Sequence, residues 1–181
     1  MPHATRLVTA DELERFPSDD RRYELVDGRL VRMSPVNLEH GVVVVRLASM
    51  LDRHVRAFNL GIVAAEVGFT LRSNPDTVRA PDVAFLRRDR IPSPRPRGFW
   101  KGQPDLAIEV LSPDDRPGEM QRKIEDYLTR GVAMVLIADP DTKTVTVHRL
   151  STPAATLVGD EVLDLGEVVS GFRCGVQEIF E

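Results

Sequence analysis

The sequence is short of cysteine and of long apolar runs, and both shortages exclude classes of protein. A single cysteine, Cys174, stands among 181 residues. It rules out an internal disulfide framework and any site built from several thiolates. No apolar run approaches the roughly 20 residues that a membrane helix needs. The first residues also lack the apolar core of a signal peptide, so we expect a cytoplasmic protein with no membrane segment.

The chain also lacks a net positive charge. The formal net charge is −4 and the isoelectric point is about 5.6. This balance does not indicate nucleic-acid binding, although a local basic patch can still provide it. Lysine occurs only at Lys101, Lys123 and Lys143. Because lysine is so rare, a lysine close to candidate acidic residues is less often an incidental surface charge.

The first part of the chain predicts a short helix, a β-hairpin and a long helix. The segment TADE at residues 9–12 has the pattern of a capping box, which favours a helix that ends before Pro17. The segment YELVDGRLVRM consists of two β-prone arms around Asp27–Gly28, a pair typical of a hairpin turn. Asn37 can cap a helix that continues to about Phe58. The run VVVV inside it also allows a strand, but the apolar positions that follow have helical spacing.

The rest of the chain alternates between strand and helix signals. Strands are predicted at residues 62–63, 67–71, 82–86 and 162–165, and in DLAIEVL, VAMVLIAD and TVTVHRL. A proline-rich loop occupies residues 87–101, a helix covers about residues 118–130 and ends at Gly131, and GFRCGVQEIF is expected to be a loose end. With 42% hydrophobic residues, this order predicts one α/β domain, residues 1–181: a mixed β-sheet flanked by helices, with an N-terminal helix and hairpin.

Two acidic residues and a lysine form the most informative pattern. Asp82 opens a predicted strand, and Glu109 lies inside the apolar strand DLAIEVL. If these strands are neighbours, the two carboxylates could bind a hard divalent cation such as Mg²⁺ or Mn²⁺, with the carbonyl of Val110 as a third oxygen ligand. Such a cation lowers the pKa of a bound water and offsets the charge of a phosphate. Lys123, on the following helix, would stabilise the developing negative charge.

Each of these residues also has a purely structural interpretation. Asp82 could cap the start of a strand after proline. Glu109 would need a metal ion or an arginine, because burying an unpaired charge costs several kcal/mol. Lys123 could be an exposed helix charge or the i,i+4 partner of Tyr127. The tyrosine ring could in turn orient the lysine or pack against the sheet.

The proline-rich loop is a candidate nucleic-acid-binding segment. Its cationic residues are Arg87, Arg88, Arg90, Arg95, Arg97 and Lys101. The loop leaves the strand that Asp82 opens, so it could contact a phosphate backbone while Phe99 or Trp100 stacks on a base. The alternative is a solvated surface loop.

Several segments together resemble a known family. The Pro81–Asp82 pair, the distant glutamate and the lysine resemble the PD-(D/E)xK nuclease superfamily. More narrowly, the chain resembles the Uma family of restriction-endonuclease-like proteins, long regarded as a domain of unknown function. The matching segments, in order, are YELVDGRLV, EHG, RAPDVAFL, PDLAIEVLSPDDR, KIEDYLTRGV, IADP and GFRCGVQEIF. They span Tyr23 to Phe180, which is most of the chain.

The resemblance implies roles for individual residues. Asp82 and Glu109 would be the two acids of the motif and would bind the metal. The position that usually holds the lysine is Leu111 here, so the lysine would come from the following helix as Lys123. The carboxylates should then share one cavity, with the lysine ammonium nearby.

Two further residues match positions associated with the site in this family. Glu24 matches an acidic position, and His40 matches a recurrent polar one. The alternatives are that Glu24 pairs with an arginine across the hairpin and that His40 is a surface or capping residue at the start of its helix.

The function implied by the resemblance is that of a metal-dependent endonuclease. It would hydrolyse phosphodiester bonds in DNA with a metal-activated water, using Mg²⁺ or Mn²⁺, and would act as a homodimer because two copies can cut both strands. Two alternatives stay open. One is a catalytically weak or inactive nucleic-acid-binding module of the same fold. The other is a small-molecule phosphoesterase, which the acidic isoelectric point favours.

Overall fold

The structure is a computed structural model and describes residues 6–16 and 22–181. Within these ranges the helices are α1 (Ala10–Glu14), α2 (Leu38–Ala57), α3 (Pro117–Thr129) and α4 (Val176–Phe180), with a 3-10 turn at Arg88–Arg90. The strands are β1 (Tyr23–Val26), β2 (Arg29–Arg32), β3 (Gly61–Ala65), β4 (Phe69–Arg72), β5 (Thr77–Arg79), β6 (Val83–Arg87), β7 (Trp100–Lys101), β8 (Leu106–Val110), β9 (Met134–Asp139), β10 (Thr144–Arg149), β11 (Thr152–Val158), β12 (Val162–Asp164) and β13 (Arg173–Gly175). No helix in the described ranges is long and apolar enough to cross a bilayer.

Most strands belong to two sheets. The larger one, called the central sheet here, has the order β11-β10-β9-β8-β6-β3. The sheet is mixed, because β8 and β9 run parallel while all its other adjacent strand pairs are antiparallel. The second one, called the five-stranded sheet, has the order β2-β1-β5-β4-β7. Strands β12 and β13 form a separate ribbon. The predicted mixed α/β architecture is therefore confirmed.

The central sheet carries helices on both of its faces. Leu106, Ile108 and Val110 of β8 belong to the large hydrophobic core, which α2 and α4 cover. Ala107 of the same strand belongs to a smaller core that α3 covers. Because successive side chains of a strand point to opposite faces, Glu109 is directed to the side of α3.

Helix α2 follows from local signals that the sequence displays. The side chain of Asn37 accepts a hydrogen bond from the backbone N–H of His40 at 2.8 Å, which is an N-cap contact. The buried side chains Val43, Leu47 and Val55 lie on one face of the helix. Helical spacing therefore outweighs the β propensity of the valine run.

The hairpin turn, the end of α3 and the start of α1 lie where the glycine and capping signals predicted them. Asp27 and Gly28 take positive φ values of 50° and 73° between β1 and β2, which the tight hairpin turn requires. Gly131 has φ of 92° just after α3, the left-handed conformation that ends helices. Helix α1 begins at the predicted capping box and ends at Glu14; Pro17 lies outside the described residues.

The C-terminal segment GFRCGVQEIF is not a loose end, contrary to the prediction. It forms β13 and α4, and Val176, Ile179 and Phe180 are buried in the large core. A strand of three residues and a helix of five show too little periodicity to be recognised in a sequence. Packing rather than local propensity stabilises such short elements.

Three further strands were not predicted from the sequence. Strand β5 has three residues and lies between β1 and β4 in the five-stranded sheet. Strand β7, with two residues, lies inside the segment predicted to be a loop. Strand β11 is almost entirely exposed and contains Pro153, which an edge strand tolerates. It is held by pairing with β10.

Replacing Ile179 by alanine should lower the free energy of unfolding by about 2–5 kcal/mol, because it leaves a cavity in a fully packed core. Urea denaturation monitored by circular dichroism measures this change. The matched control is Gln177→Ala on the exposed side of the same helix, which should change the free energy by less than about 0.5 kcal/mol. If both substitutions have the same small effect, α4 is not part of the core.

Candidate active site

The five predicted site residues come together in the structure. They line one cavity of about 150 Å³, and all five are buried. They are Glu24 on β1, His40 in the first turn of α2, Asp82 immediately before β6, Glu109 on β8 and Lys123 on α3. The expected shared cavity for the two candidate acids and the lysine is therefore present. Val110, whose carbonyl is the third candidate ligand, lines the same cavity.

Glu109 is more deeply buried than Asp82, with 3% against 8% of its surface exposed. The Lys123 ammonium donates a hydrogen bond to its Oε2 at 2.8 Å, and the Tyr127 hydroxyl donates to its Oε1 at 2.7 Å. Burial raises the pKa of Glu109 to about 7; Lys123 opposes this shift, and the charges of Asp82 and Glu24 add to it. The partners that offset this buried charge are thus a lysine and a tyrosine.

Lys123 points into the cavity, so it is not an exposed helix charge. Its side chain is about one tenth exposed, and its Nζ lies 2.8 Å from Glu109 Oε2 and 3.3 Å from Glu24 Oε1. Burial alone would lower the pKa of Lys123, but the charges of Glu109 and Glu24 outweigh it and hold the pKa above its usual value. The ammonium is therefore charged and fixed between two carboxylates.

Leu111 explains why the lysine comes from a helix. This residue follows β8 and packs in the same small core as Ile124 of α3. It lies two residues after Glu109, so it belongs to the same face of the strand. An apolar side chain therefore occupies the usual lysine position and contributes to the docking of α3, while α3 supplies Lys123.

Glu24 connects Lys123 to an arginine that the sequence analysis missed. Arg79 of β5 donates to Glu24 Oε2 at 2.7 Å, and the backbone N–H of Ala80 donates to Oε1 at 2.9 Å. Arg79 also donates to Asp126 of α3 at 2.9 and 2.5 Å. Although burial by itself raises the pKa of Glu24, Lys123 and Arg79 lower it below its usual value. Glu24 therefore does pair with an arginine, but from β5 rather than from across the hairpin.

The missed arginine had one weak signal in the sequence. Arg79 is the first residue of the segment RAPDVAFL that carries Asp82, and it ends a strand too short to be predicted. Its partner Glu24 lies 55 residues away. Spacing along the chain gives no indication of such a pair.

Asp82 is held by the backbone and by a histidine. The N–H of Val110 donates to Asp82 Oδ2 at 2.8 Å, and His40 Nε2 lies 3.2 Å from the same oxygen. Burial alone would lower the pKa of His40, but the hydrogen bond and charge of Asp82, together with Asp115 and Glu109, raise it. His40 Nδ1 is buried and has no hydrogen-bond partner among the described residues. The histidine therefore faces the acid and does not cap its own helix.

The donor set fits a cation that takes few protein ligands. In the described residues, no three His, Cys, Asp or Glu side chains form a cluster that could enclose an ion. Mg²⁺ usually binds one or two carboxylates and completes its shell with water, and Asp82 and Glu109 offer two. The charge of Asp82 raises the pKa of Glu109, so the carboxylates are close enough to repel, and a cation between them would relieve that repulsion.

The structure places the basic loop away from this cavity. None of the candidate nucleic-acid-binding residues lines it; these are Arg87, Arg88, Arg95, Arg97 and Lys101. Strand β6 leads from Asp82 to Arg87, which displaces the loop by about 16 Å along the strand. Asp105 contacts Arg87 at 3.6 Å, and Arg88 bonds to Asn59. Phe99 and Trp100 are partly buried against hydrophobic clusters.

Two comparisons with known proteins bear on the chain. The family model of Uma2, described as "Putative restriction endonuclease", matches residues 10–177. Among solved structures, the chain is similar to "a putative nuclease belonging to DUF820" from Anabaena variabilis. The TM-score is 0.85 and the identity 22%, over 96% of this chain and 97% of that one. Likeness at this identity shows the fold. No curated protein matches the sequence significantly.

Replacing Tyr127 by phenylalanine should lower the free energy of unfolding by about 1–3 kcal/mol, because it deprives a buried carboxylate oxygen of its donor. Urea denaturation measures the change. The control is Tyr23→Phe, since the Tyr23 ring packs with a separate hydrophobic cluster; it should cost less than about 0.5 kcal/mol. Equal effects would mean that the hydroxyl of Tyr127 does not stabilise Glu109.

Proposed function

Because the chain belongs to the Uma2 family, we propose that it is a metal-dependent endonuclease that hydrolyses phosphodiester bonds in DNA. The observation that carries this proposal is the cavity in which Asp82, Glu109 and Lys123 meet. Two carboxylates beside a buried ammonium provide a cation site and an anion site within the same small volume. That pairing suits a phosphodiester, which is itself an anion.

The acids are the proposed metal ligands. Asp82 and Glu109 would hold Mg²⁺ or Mn²⁺, with the carbonyl of Val110 as a further oxygen ligand. When bound, such an ion supplies a water of lowered pKa and offsets negative charge on the phosphate. The contacts of Val110 N–H and His40 with Asp82 fix the orientation of that carboxylate. His40 is therefore proposed as a positioning residue.

Lys123 is proposed as the residue that stabilises the transition state. Its ammonium stays charged because Glu109 and Glu24 raise its pKa. A fixed positive charge in a buried site interacts strongly with the negative charge that develops on an attacked phosphate, and it needs no rearrangement during the reaction. Glu24, whose Oε1 lies 3.3 Å from the same ammonium, helps to hold it in place.

Cleavage of DNA with and without a divalent cation tests the proposal. Labelled DNA, offered both as a single strand and as a duplex, should be cut in the presence of Mg²⁺ or Mn²⁺ and should survive in EDTA. Asp82→Asn, which preserves the shape of the side chain, should lower the rate by about 100-fold or more. Lys123→Ala should reduce the rate by about 10²–10³-fold.

The matched control for the lysine is Lys143→Asn, at an exposed turn where φ is 52°; asparagine tolerates that conformation, so the rate should not change. Lys123→Ala also leaves the buried carboxylate of Glu109 without its cation, at a cost of about 3–5 kcal/mol, so thermal unfolding must show that the variant is folded. Cleavage that survives Asp82→Asn would contradict the proposal. Binding without cleavage would favour a binding module, and turnover of small phosphoesters alone a phosphoesterase.

A further inference from the structure

We infer that this site acts on an unpaired DNA strand and does not cut a continuous duplex directly. The inference rests on the proposed function and concerns the form of DNA that can reach the carboxylates. Asp82 and Glu109 are 8% and 3% exposed. They line one cavity, and a phosphate has to enter it to reach either carboxylate.

Two stretches of chain line the cavity beside the carboxylates and limit access to them. One comprises residues 31–36, which run from the end of β2 towards α2, and the other comprises residues 112–120, which lead into α3. We call these two stretches the rim. A phosphate of a duplex is flanked by the second strand, so the rim would have to enter the grooves before the phosphate reached Glu109. A single strand carries no such obstruction.

The charge of the rim is also unsuited to a duplex. Duplex DNA carries one negative charge per about 1.7 Å, and proteins that bind it neutralise many phosphates. Among the described residues, the exposed cations that line the cavity are Arg22 and Arg32, and Arg22 already forms an ion pair with Glu66. The acids Asp114, Asp115 and Glu119 line the same cavity. Besides the buried Lys123, these two arginines are the described residues available for phosphate contacts, which is enough to guide a single strand.

The apolar side chains of the rim also favour an unpaired strand. Val31 and Val36 are exposed, and Met33 lines the cavity with them. An unpaired base presents its flat apolar face to such side chains, whereas a base in a duplex is stacked and would have to be extruded first. The basic loop at the far end of β6 does not supply the missing contacts, because it does not line the cavity. A site for one strand also removes the reason to require a homodimer.

Three forms of one labelled oligonucleotide test the inference: the free strand, the same strand fully paired, and the same strand paired except for a central unpaired segment. With Mg²⁺ or Mn²⁺ present, kcat/KM should be about a hundredfold higher for the free strand than for the full duplex, since extrusion is costly. The partly paired form should be cut within its unpaired segment. Equal or faster cleavage of the full duplex overturns the inference and leaves the proposed function standing. No cleavage of any form by the folded protein rejects the proposed function itself.

The salt dependence of 1/KM for the free strand gives an independent readout. Two phosphate contacts predict a slope of about −1.4 for log(1/KM) against log salt concentration, and Arg32→Gln should reduce it to about −0.7. The matched control is Arg29→Gln, an exposed arginine of the same strand that does not line the cavity, which should leave the slope unchanged. A slope that corresponds to six or more contacts would overturn the inference.

Discussion

The site depends on the buried carboxylate of Glu109 and on the two donors that hold it. Alternation along β8 directs this side chain to the face that α3 covers, and Lys123 and Tyr127 of α3 bind one oxygen each. An isolated carboxylate at that depth would cost several kcal/mol. The same two hydrogen bonds that offset this cost also fix the helix against the central sheet. The position of the candidate catalytic lysine and the packing of α3 are thus determined together.

A ring of ion pairs extends this arrangement to the second sheet. Lys123 contacts Glu24 on β1, Glu24 accepts from Arg79 on β5, and Arg79 donates to Asp126, which lies on α3 again. The helix is therefore tied to both sheets by buried charges. Apolar residues of similar size often stabilise a core as well as a buried ion pair does. The proposed function, which needs fixed charges, gives a reason for these charges that stability does not.

The extent to which the sequence predicts this structure follows from the range of the interactions. Asn37, the Asp27–Gly28 turn and Gly131 act on their immediate neighbours, so the hairpin and the ends of α2 and α3 could be placed from local patterns. The isolated acid Glu109 in an apolar strand indicated the site. Arg79 could not be assigned, because its strand has three residues and its partners lie 47 and 55 residues away. Helix α4 could not be predicted either, because packing rather than periodicity stabilises it.

The proposed role of Lys123 has a structural consequence, because this lysine lies on a helix while Leu111 stands where the resemblance would place a lysine. A lysine at the position of Leu111, directly after β8, would lie two residues from Glu109. Its placement beside Glu109 would need only that strand. Lys123 instead requires α3 to be docked, and its second contact, with Glu24, requires the five-stranded sheet to be in place as well. The proposed cation site and the ammonium beside it are therefore complete only when both sheets and α3 are assembled. A chain that is folded in part would hold the carboxylates without the lysine, and the chemistry proposed for the site is confined to the complete domain.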